Sequence, residues 1–358
     1  MKLNIFTDLK YVPENIPYES ILFPFYGQCK NKTDYFSNNI FNNYINQGQL
    51  FFQKTSLKEA DLVILPINWE KVLTLEITDK LTDLIQQAKK TNTLSIGFFG
   101  GDCSHLKLDH ETDLMFRHSL YASTKSAKDF AYPAWSKDIL FEHLNGELPI
   151  KKEKPIKPTI GFCGFSSSKD IKAYCKFFIY KFEKSLLNRQ IPRYHIGHVF
   201  RSLALSILSK SSLLNSNLII RNKAFFHNNK NNIVQQKKQN DQFIQNMVDS
   251  NYILCCRGSG NYSFRFYEAL SCGRIPVFIN TDCVLPYDFE IDWKQYCIWI
   301  EENELSIIDQ KINDFHDKIS AKEFVELQYE CRKVWQERIS PEGFFANLYR
   351  HISMLNLS

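Results

Sequence analysis

The sequence lacks the patterns that mark membrane spans, disulfide frameworks and metal sites. No apolar run approaches the roughly 18 residues that a membrane-spanning helix needs, and the apolar run near the N-terminus is too short for a signal peptide. The ten cysteines include no Cys-x-x-Cys pair, and no cysteine–histidine spacing fits a zinc site. We therefore expect reduced thiols in a cytoplasmic protein, and peripheral contact with the inner face of the membrane stays open.

The chain also lacks a strong charge of one sign. It has 44 Lys and Arg and 39 Asp and Glu, which gives a net charge of +5. A net charge this small does not indicate that the chain as a whole binds nucleic acid. At 358 residues the chain is longer than a domain with a single hydrophobic core usually is. Strands and helices alternate over 1–150, a charged linker with prolines follows at 151–158, and the alternation restarts over 159–330. This pattern predicts two α/β domains, followed by C-terminal helices at 331–358 that could cross back to the first domain.

The most informative stretch, 250–286, has the pattern of strand, glycine loop, helix and strand. Its loop is not a G-x-G-x-x-G fingerprint, but Gly258 and Gly260 can adopt positive φ there. Ser263 is the predicted N-cap of the helix, and Gly273 occupies the C′ position after it. A helix that begins at the end of a strand directs backbone N–H groups at the mouth of a sheet, which predicts an anion site.

Two arginines and one acid accompany this predicted anion site. Arg257 lies in the loop, whereas Arg265 and Glu268 are three residues apart and share one helix face. Two guanidiniums suit a diphosphate, because each offers a planar fork of donors that stays charged. A carboxylate beside them suits ribose hydroxyls. On these residues alone, a surface ion pair next to an ordinary turn is an equally open interpretation.

The same stretch resembles the C-terminal signature of the exostosin family of glycosyltransferases. The signature combines Arg-Gly, Ser-x-Arg, an acid followed by Ala, Gly-x-Ile-Pro-Val, Leu-Pro-aromatic and a Trp. In this chain those positions are Arg257, Gly258, Ser263, Arg265, Glu268, Ala269, Gly273, Ile275, Pro276, Val277, Leu285, Pro286, Tyr287 and Trp293. The resemblance, to a bacterial-type member, implies an α/β GT-B-like fold: two Rossmann-like domains facing across a cleft, with the sugar nucleotide in the C-terminal domain.

The resemblance further implies an inverting sugar transfer. The expected donor is a nucleoside-diphosphate sugar, with a UDP-sugar foremost, and the expected acceptor is an oligosaccharide or a lipid-linked glycan in bacterial surface polysaccharide synthesis. The chain has no Asp-x-Asp motif, which agrees with a metal-independent mechanism without a cofactor. Arg201 resembles an arginine upstream of the exostosin signature and is a third candidate for contact with the diphosphate; a charge on a helix surface is the alternative.

A Gly-Gly-Asp-x-x-His turn over 100–105 supplies the candidate catalytic bases. It follows a predicted strand at 94–99, and open α/β sheets bind ligands at the carboxyl ends of their strands. It also resembles a Gly-x-Asp-His turn of plant exostosin-type enzymes. Asp102 or His105 could accept the proton of an acceptor hydroxyl if it lies within hydrogen-bond reach. The alternative is that Asp102 caps the turn and His105 is a surface residue.

Two other functions stay open from the sequence. The chain could be another GT-B transferase, similar to fucosyltransferases and with a different base in its donor. It could also be a non-catalytic protein that binds anionic glycan or nucleic acid through the Lys- and Arg-rich stretch 181–240. His195-x-x-His198 in that stretch is weak as a metal motif, because no third ligand lies at a suitable spacing.

Overall fold

The structure is a computed structural model, and it describes residues 2–28, 39–108, 110–166, 196–221 and 233–355, with Cys175, Phe178 and Ile179 between them. These residues form two compact units. Unit 1 comprises Met1–Lys137, Val284–Ile291 and Gln336–Ser358, and unit 2 comprises Asp138–Cys283 and Asp292–Trp335. Each unit is built on one parallel sheet with helices packed around it.

The strands are short and mostly buried, as expected for sheets that are covered on both faces. In chain order they are β1 Leu3–Phe6, β2 Phe52–Lys54, β3 Leu62–Ile64, β4 Leu94–Phe99, β5 Leu114–Arg117, β6 Asp129–Ala131, β7 Thr159–Phe165, β8 Asn215–Arg221, β9 Tyr252–Cys255, β10 Ile275–Ile279 and β11 Ile298–Ile300. The described helices are α1 Phe23–Tyr26, α2 Asn42–Phe51, α3 Trp69–Thr74, α4 Thr78–Lys90, α5 Ile139–His143, α6 Ile196–Leu208, α7 Ile233–Asp249, α8 Phe264–Ser271, α9 Ile308–Lys318, α10 Ala321–Val334, α11 Pro341–Ala346 and α12 Tyr349–Leu355.

Both sheets have the strand order of doubly wound α/β domains. The order is β2-β1-β3-β4-β5-β6 in unit 1 and β11-β10-β9-β7-β8 in unit 2, and every pairing is parallel. In each unit the second strand lies on one side of the first strand and the third strand lies on the other. Ligands of such sheets bind where the order reverses, beyond the carboxyl ends of the strands. That point lies between β1 and β3 in unit 1 and between β7 and β9 in unit 2.

Two parallel-sheet α/β units are the domains of a GT-B-like fold, and that fold class is confirmed. The division of the chain differs from the predicted one, which placed a linker at 151–158. Residues from Asp138 onward pack in unit 2, where both carboxylate oxygens of Asp138 accept from Arg332 at 2.7 Å. The carbonyl of Pro149 accepts from Arg274, a side chain with no exposed surface. These contacts hold 138–150 to the second sheet before the proline-rich segment begins.

The C-terminal segment belongs to the core of unit 1. Phe344, Phe345 and Leu348 are buried in the same apolar cluster as Phe98 of β4. The short segment Val284–Ile291 joins this cluster through Tyr287, whose hydroxyl donates to the carbonyl of Phe344 at 2.9 Å. The Leu-Pro-aromatic part of the signature therefore packs in unit 1, which the sequence did not indicate.

The run 228–241 lacks apolar periodicity, which favours a loop, but the structure has a helix in the described part of this run. That helix, α7, begins at Ile233 and continues to Asp249. Its polar first turns are solvated, whereas Ile244 and Met247 in its last turns are buried. Burial of these last turns stabilises the helix, and tertiary packing commonly decides helix formation in this way. Among the described residues, no helix is long and apolar enough to cross a bilayer.

Candidate active site

The candidate site lies where the strand order of unit 2 reverses. β7 ends at Phe165 and β9 ends at Cys255, and the two strands pair directly. Arg201 of α6 joins their ends: its Nη1 donates to Phe165 O at 3.0 Å, and its Nη2 donates to Arg257 O at 2.9 Å and to Cys256 O at 3.3 Å. In this arrangement Arg201 contacts the backbone of the site and fixes the distance between the two strand ends.

Arg257 stabilises its own loop. It is buried, and its Nη1 donates to Asn261 Oδ1 at 3.1 Å while its Nη2 donates to Ser259 O at 2.7 Å. Asn261 is also fully buried, accepts from Thr281 Oγ1 at 2.6 Å and donates to the Asp282 carbonyl at 3.0 Å. The side chain of Asn261 thus connects the loop after β9 to the loop after β10. The sequence prediction missed this role, because an Asn between glycine and tyrosine has no distinguishing pattern.

Arg265 is the guanidinium with hydrogen-bonding capacity to spare. Its Nη2 donates to Cys163 O at 2.6 Å, and its Cζ lies 4.6 Å from the centre of the Phe162 ring. Its Nη1 and Nε make no hydrogen bond with any residue that the structure describes. The side chain is only half-buried and extends from the first turn of α8. A planar fork held at one corner in this way is ready for a bidentate anion.

Glu268 lies one turn after Arg265 on α8. Burial of its carboxyl raises the pKa above its ordinary value, and the charge of Arg265 acts in the opposite direction. The residue as a whole is half-buried by surface exposure. The predicted arrangement, in which Arg265 and Glu268 share one helix face, is present.

The start of α8 and the end of β7 contribute further polar groups. Ser263 is the N-cap, as predicted, but its side chain accepts no hydrogen bond from the first turn. Ser166, directly after β7, is buried, and its Oγ has no hydrogen-bond partner within the described ranges. Ser166 was not predicted as a site residue. Buried polar atoms without a partner are uncommon in native proteins.

The glycines act differently from the prediction. The glycines with positive φ among the described residues are Gly27, Gly146 and Gly273, so Gly273 ends α8 as expected, but Gly258 and Gly260 do not use a left-handed conformation. Gly258 instead borders open space, because a Cβ built there would meet no atom within 4 Å. The backbone of the loop can therefore be approached closely by a ligand.

Asp102 and His105 belong to unit 1, where they lie in the loop after β4. Both side chains are exposed. The carbonyl of Asp102 accepts from the backbone N–H of Ser104 at 2.9 Å, which forms the predicted turn. Partial burial and then the charge of Arg117 lower the pKa of His105.

Metal ligands are not gathered in this part of the chain. No group of three or more His, Cys, Asp or Glu within the described residues could hold a metal ion. His195 lies outside the described residues, and the ring of His198 packs 5.6 Å from that of Phe165. Two parts of the basic stretch 181–240 also lie outside them, namely 181–195 and 222–232.

Comparison with known proteins finds similarity over parts of the chain. The family model of the Exostosin GT47 domain matches residues 210–312. Exostosin-1 of Drosophila melanogaster is 36% identical over 90 residues, which are 25% of this chain and 11% of that protein. The Exostosin-1 homolog of Caenorhabditis elegans is 28% identical over 117 residues, 30% of either chain. A Probable glucuronosyltransferase 47 A of Physcomitrium patens is 29% identical over 82 residues, 23% of this chain and 18% of that protein.

This chain thus spans less than a third of the length of each of these curated relatives. The crystal structure of TarM covers 72% of this chain and 54% of its own, at 12% identity and a TM-score of 0.32, which is too low to support an argument. The matched segment 210–312 contains Arg257, Gly258, Ser263, Arg265 and Glu268, the residues of the signature. The resemblance to exostosin-family glycosyltransferases is therefore confirmed, over the residues that match the Exostosin GT47 domain.

Proposed function

We propose that this chain is an inverting, metal-independent glycosyltransferase that takes its sugar from a nucleoside-diphosphate sugar. The observation that carries the proposal is the Arg265 guanidinium, which leaves Nη1 and Nε without partners among the described residues at the point where the strand order of unit 2 reverses. Diphosphates are bound at such points by helix N-termini and charged forks. The start of α8, uncapped by the Ser263 side chain, supplies the N–H groups.

The chemistry follows from where charge develops. As the acceptor hydroxyl attacks C1 of the sugar, the bond from C1 to the diphosphate breaks and negative charge grows on the leaving group. Donors that are fixed before the reaction stabilise this charge without reorganising. Arg265 would bind the diphosphate directly, while Arg201 and Arg257 hold the backbone that surrounds it. Glu268, on the same helix face, is suited to the ribose hydroxyls.

For the donor we keep a UDP-sugar as the first candidate, because exostosin-type transferases use such donors. The name of the Physcomitrium patens relative adds UDP-glucuronic acid to the donors worth testing. For the acceptor we keep an oligosaccharide or lipid-linked glycan of a bacterial surface polysaccharide, made in the cytoplasm. Asp102 and His105 stay the sequence-based candidates for the catalytic base.

The first experiment is a thermal-shift screen of the purified full chain against UDP, GDP, CMP and dTDP, each with and without EDTA. A ligand that binds the folded state raises its apparent stability by mass action. We expect a shift with UDP that survives EDTA and is lost in Arg265→Ala. Lys238→Ala is the matched control, because it removes one exposed positive charge from α7 in the same unit.

The same screen separates the other functions. A shift with GDP alone would favour the fucosyltransferase-like alternative. A protein that shifts with no nucleotide at millimolar concentration, yet binds an anionic polymer in a salt-dependent way, would be the basic binding protein instead. A nucleotide shift followed by release of UDP from a UDP-sugar, with transfer to an acceptor, would establish the transferase.

A further inference from the structure

Arg221 shares with Arg265 the property of a guanidinium that the protein only partly uses. It is the last residue of β8, and it pairs with Phe165 at the end of the neighbouring strand β7. Its Nη2 donates to Gln239 O at 2.9 Å and to Gln242 Oε1 at 3.3 Å. Its Nη1 and Nε donate to no residue that the structure describes. Part of the charged fork is therefore left for a ligand.

Arg221 and Arg265 meet the same turn of α7. The carbonyl of Gln239 accepts from Arg221, and the ring of Phe243 has its centre 5.5 Å from Arg265 Cζ. In an α-helix the carbonyl of residue 239 also accepts from the backbone N–H of residue 243. The contact of Arg221 with α7 thus lies directly beside Phe243, and both guanidiniums adjoin this one residue.

Both arginines also border the end of β7. Arg265 Nη2 donates to Cys163 O at 2.6 Å, and Arg221 pairs with Phe165, two residues further along the strand. Burial raises the pKa of the Cys163 thiol, and the charges of Arg221 and Arg265 act in the opposite direction. The two positive charges therefore act on one residue of β7. Ligands of such sheets bind beyond the carboxyl ends of the strands.

Neither guanidinium is paired with an acid of unit 2. The ion pairs formed within the described ranges involve neither Arg221 nor Arg265. Glu268 acts electrostatically on Arg265 from one helical turn away, but it forms no ion pair with it. Arg332 of the same unit shows the usual arrangement, with Asp138 at 2.7 Å. Two neighbouring cations without a counter-ion repel each other, and a bound anion removes this repulsion.

Ser166 gives an independent indication at the same strand end. It follows β7 directly, and its backbone N–H donates to Arg221 O at 3.2 Å. Its Oγ is buried and has no hydrogen-bond partner in the part of the chain that the structure describes. A buried hydroxyl of this kind is commonly satisfied by a group that does not belong to the chain.

We propose that Arg221 and Arg265 together hold the two phosphate groups of the donor, with Arg221 as a second direct ligand. This inference rests on the proposed function and narrows its substrate class to donors that carry a diphosphate. Each guanidinium is a planar fork that stays charged and matches phosphate oxygens. Protein carbonyls hold each fork by Nη2, so the remaining donors are oriented before the ligand binds.

The position of Glu268 assigns one phosphate to each arginine. Glu268 is suited to the ribose hydroxyls and lies one turn after Arg265 on α8. The phosphate attached to the ribose therefore belongs to Arg265, and the phosphate that carries the sugar belongs to Arg221. A nucleoside monophosphate would reach Arg265 and leave the fork of Arg221 unused.

The test compares diphosphates with monophosphates of uridine, guanosine, cytidine and thymidine, by isothermal titration into the purified full chain with EDTA present. We expect the wild type to bind one diphosphate at least about tenfold more tightly than its monophosphate, because the second phosphate gains a charge-assisted contact. Arg221→Gln should lose this preference and keep the monophosphate affinity. Arg265→Gln should bind both forms more weakly.

Lys238→Gln is the matched control for Arg221→Gln. It removes one exposed positive charge from α7, at the residue before Gln239, and should leave both affinities unchanged. A preference for diphosphate that persists in Arg221→Gln would overturn the assignment of Arg221 and leave the proposed function standing. An equal loss of both forms in Arg221→Gln would overturn it as well, because Arg221 would then only support the fold.

The wild-type measurement keeps the inference falsifiable even if Arg221→Gln does not fold. A wild type that binds a monophosphate as tightly as its diphosphate has no second phosphate ligand, which would overturn the role of Arg221 alone. A wild type that binds none of these nucleotides would overturn the proposed function, and the role of Arg221 with it.

Discussion

Gly164 on β7 decides where the Arg265 guanidinium can lie. A Cβ at this position would be 2.9 Å from Arg265 Nη2, the atom that donates to Cys163 O. We expect Gly164→Ala to displace the guanidinium and to weaken UDP binding by about tenfold or more, because a displaced fork loses a charge-assisted hydrogen bond. Isothermal titration of UDP into the purified variant measures the effect.

Gly258→Ala is the natural comparison, because it adds the same methyl group to the same unit. Here the Cβ would enter open space, so the Tm without nucleotide should match that of the wild type. A loss of UDP affinity with an unchanged Tm would mean that the ligand occupies this space. If Gly164→Ala binds UDP as tightly as the wild type, Arg265 is not a diphosphate ligand.

Glu19, a buried residue of unit 1, should give the protein a pH-dependent stability. Burial raises its pKa from 4.5 to about 7 on folding, so the folded state holds the proton more tightly than the unfolded chain does. The contribution of Glu19 to the free energy of unfolding is therefore full below the unfolded value and is lost as pH rises to the folded value. The loss amounts to at most about 3 kcal/mol.

Glu19→Gln cannot ionise and should lack this loss. Urea denaturation of wild type and variant at several pH values should show the variant gaining on the wild type from about pH 5 to about pH 8. A difference in unfolding free energy that stays constant with pH would show that this carboxyl titrates normally. This measurement does not depend on activity, so it tests the environment of Glu19 even before a substrate is known.

Motifs in the sequence located Arg265 and Gly258, but not their surroundings. The hydrogen-bond partner of Arg265 is the carbonyl of Cys163, which is 102 residues away in the sequence. A local sequence pattern cannot predict such a contact. Glu19 has no motif around it either, since its burial is created by Pro66 and Asn68 after another strand. Asp102 and His105 were identified by their position after a strand, and their roles stay predictions.

At the scale of secondary structure, burial of an element decided how well it could be predicted. β4 was predicted at its observed bounds, Leu94–Phe99, because five of its six residues are buried and apolar or small. The first turns of α7 are polar on all sides, so the periodicity on which a helix prediction depends was missing there. The anchor of that helix, Ile244 and Met247, lies near its end.

The ion pair between Asp138 and Arg332 connects the short helix α5 to α10 in unit 2. Both carboxylate oxygens accept from the guanidinium at 2.7 Å, and Asp138 also caps α5 by accepting from Leu140 N. We expect Asp138→Ala to lower the free energy of unfolding by about 3 kcal/mol, because it leaves a buried guanidinium unpaired and removes a cap. Chemical denaturation measures the change.

Lys322→Ala is the control for that substitution. Lys322 lies on the same helix α10 and pairs with Glu326 at 3.5 Å, but both side chains are largely exposed. Such a pair contributes less than about 1 kcal/mol. Equal effects of the two substitutions would mean that the Asp138 pair gains nothing from its burial.

At the scale of the whole molecule, the two units repeat one topology with opposite chemistry. The reversal point of unit 2 carries arginines, and that of unit 1 carries a buried carboxyl. The sequence predicted two such domains from alternating strands and helices. The sequence could not predict that 284–291 packs in unit 1, because the signature motif extends through that segment without a break.

The C-terminal segment completes the core of unit 1, and one aromatic residue tests this directly. Phe345 is 1% exposed, and its ring lies 4.5 Å from that of Tyr44 and 5.5 Å from that of Trp135. We expect Phe345→Ala to destabilise the protein by about 3–5 kcal/mol through the cavity it leaves, as measured by chemical denaturation. Tyr329→Ala is the control, because that aromatic side chain is 54% exposed. A Phe345→Ala variant as stable as the control would show that unit 1 folds without this segment.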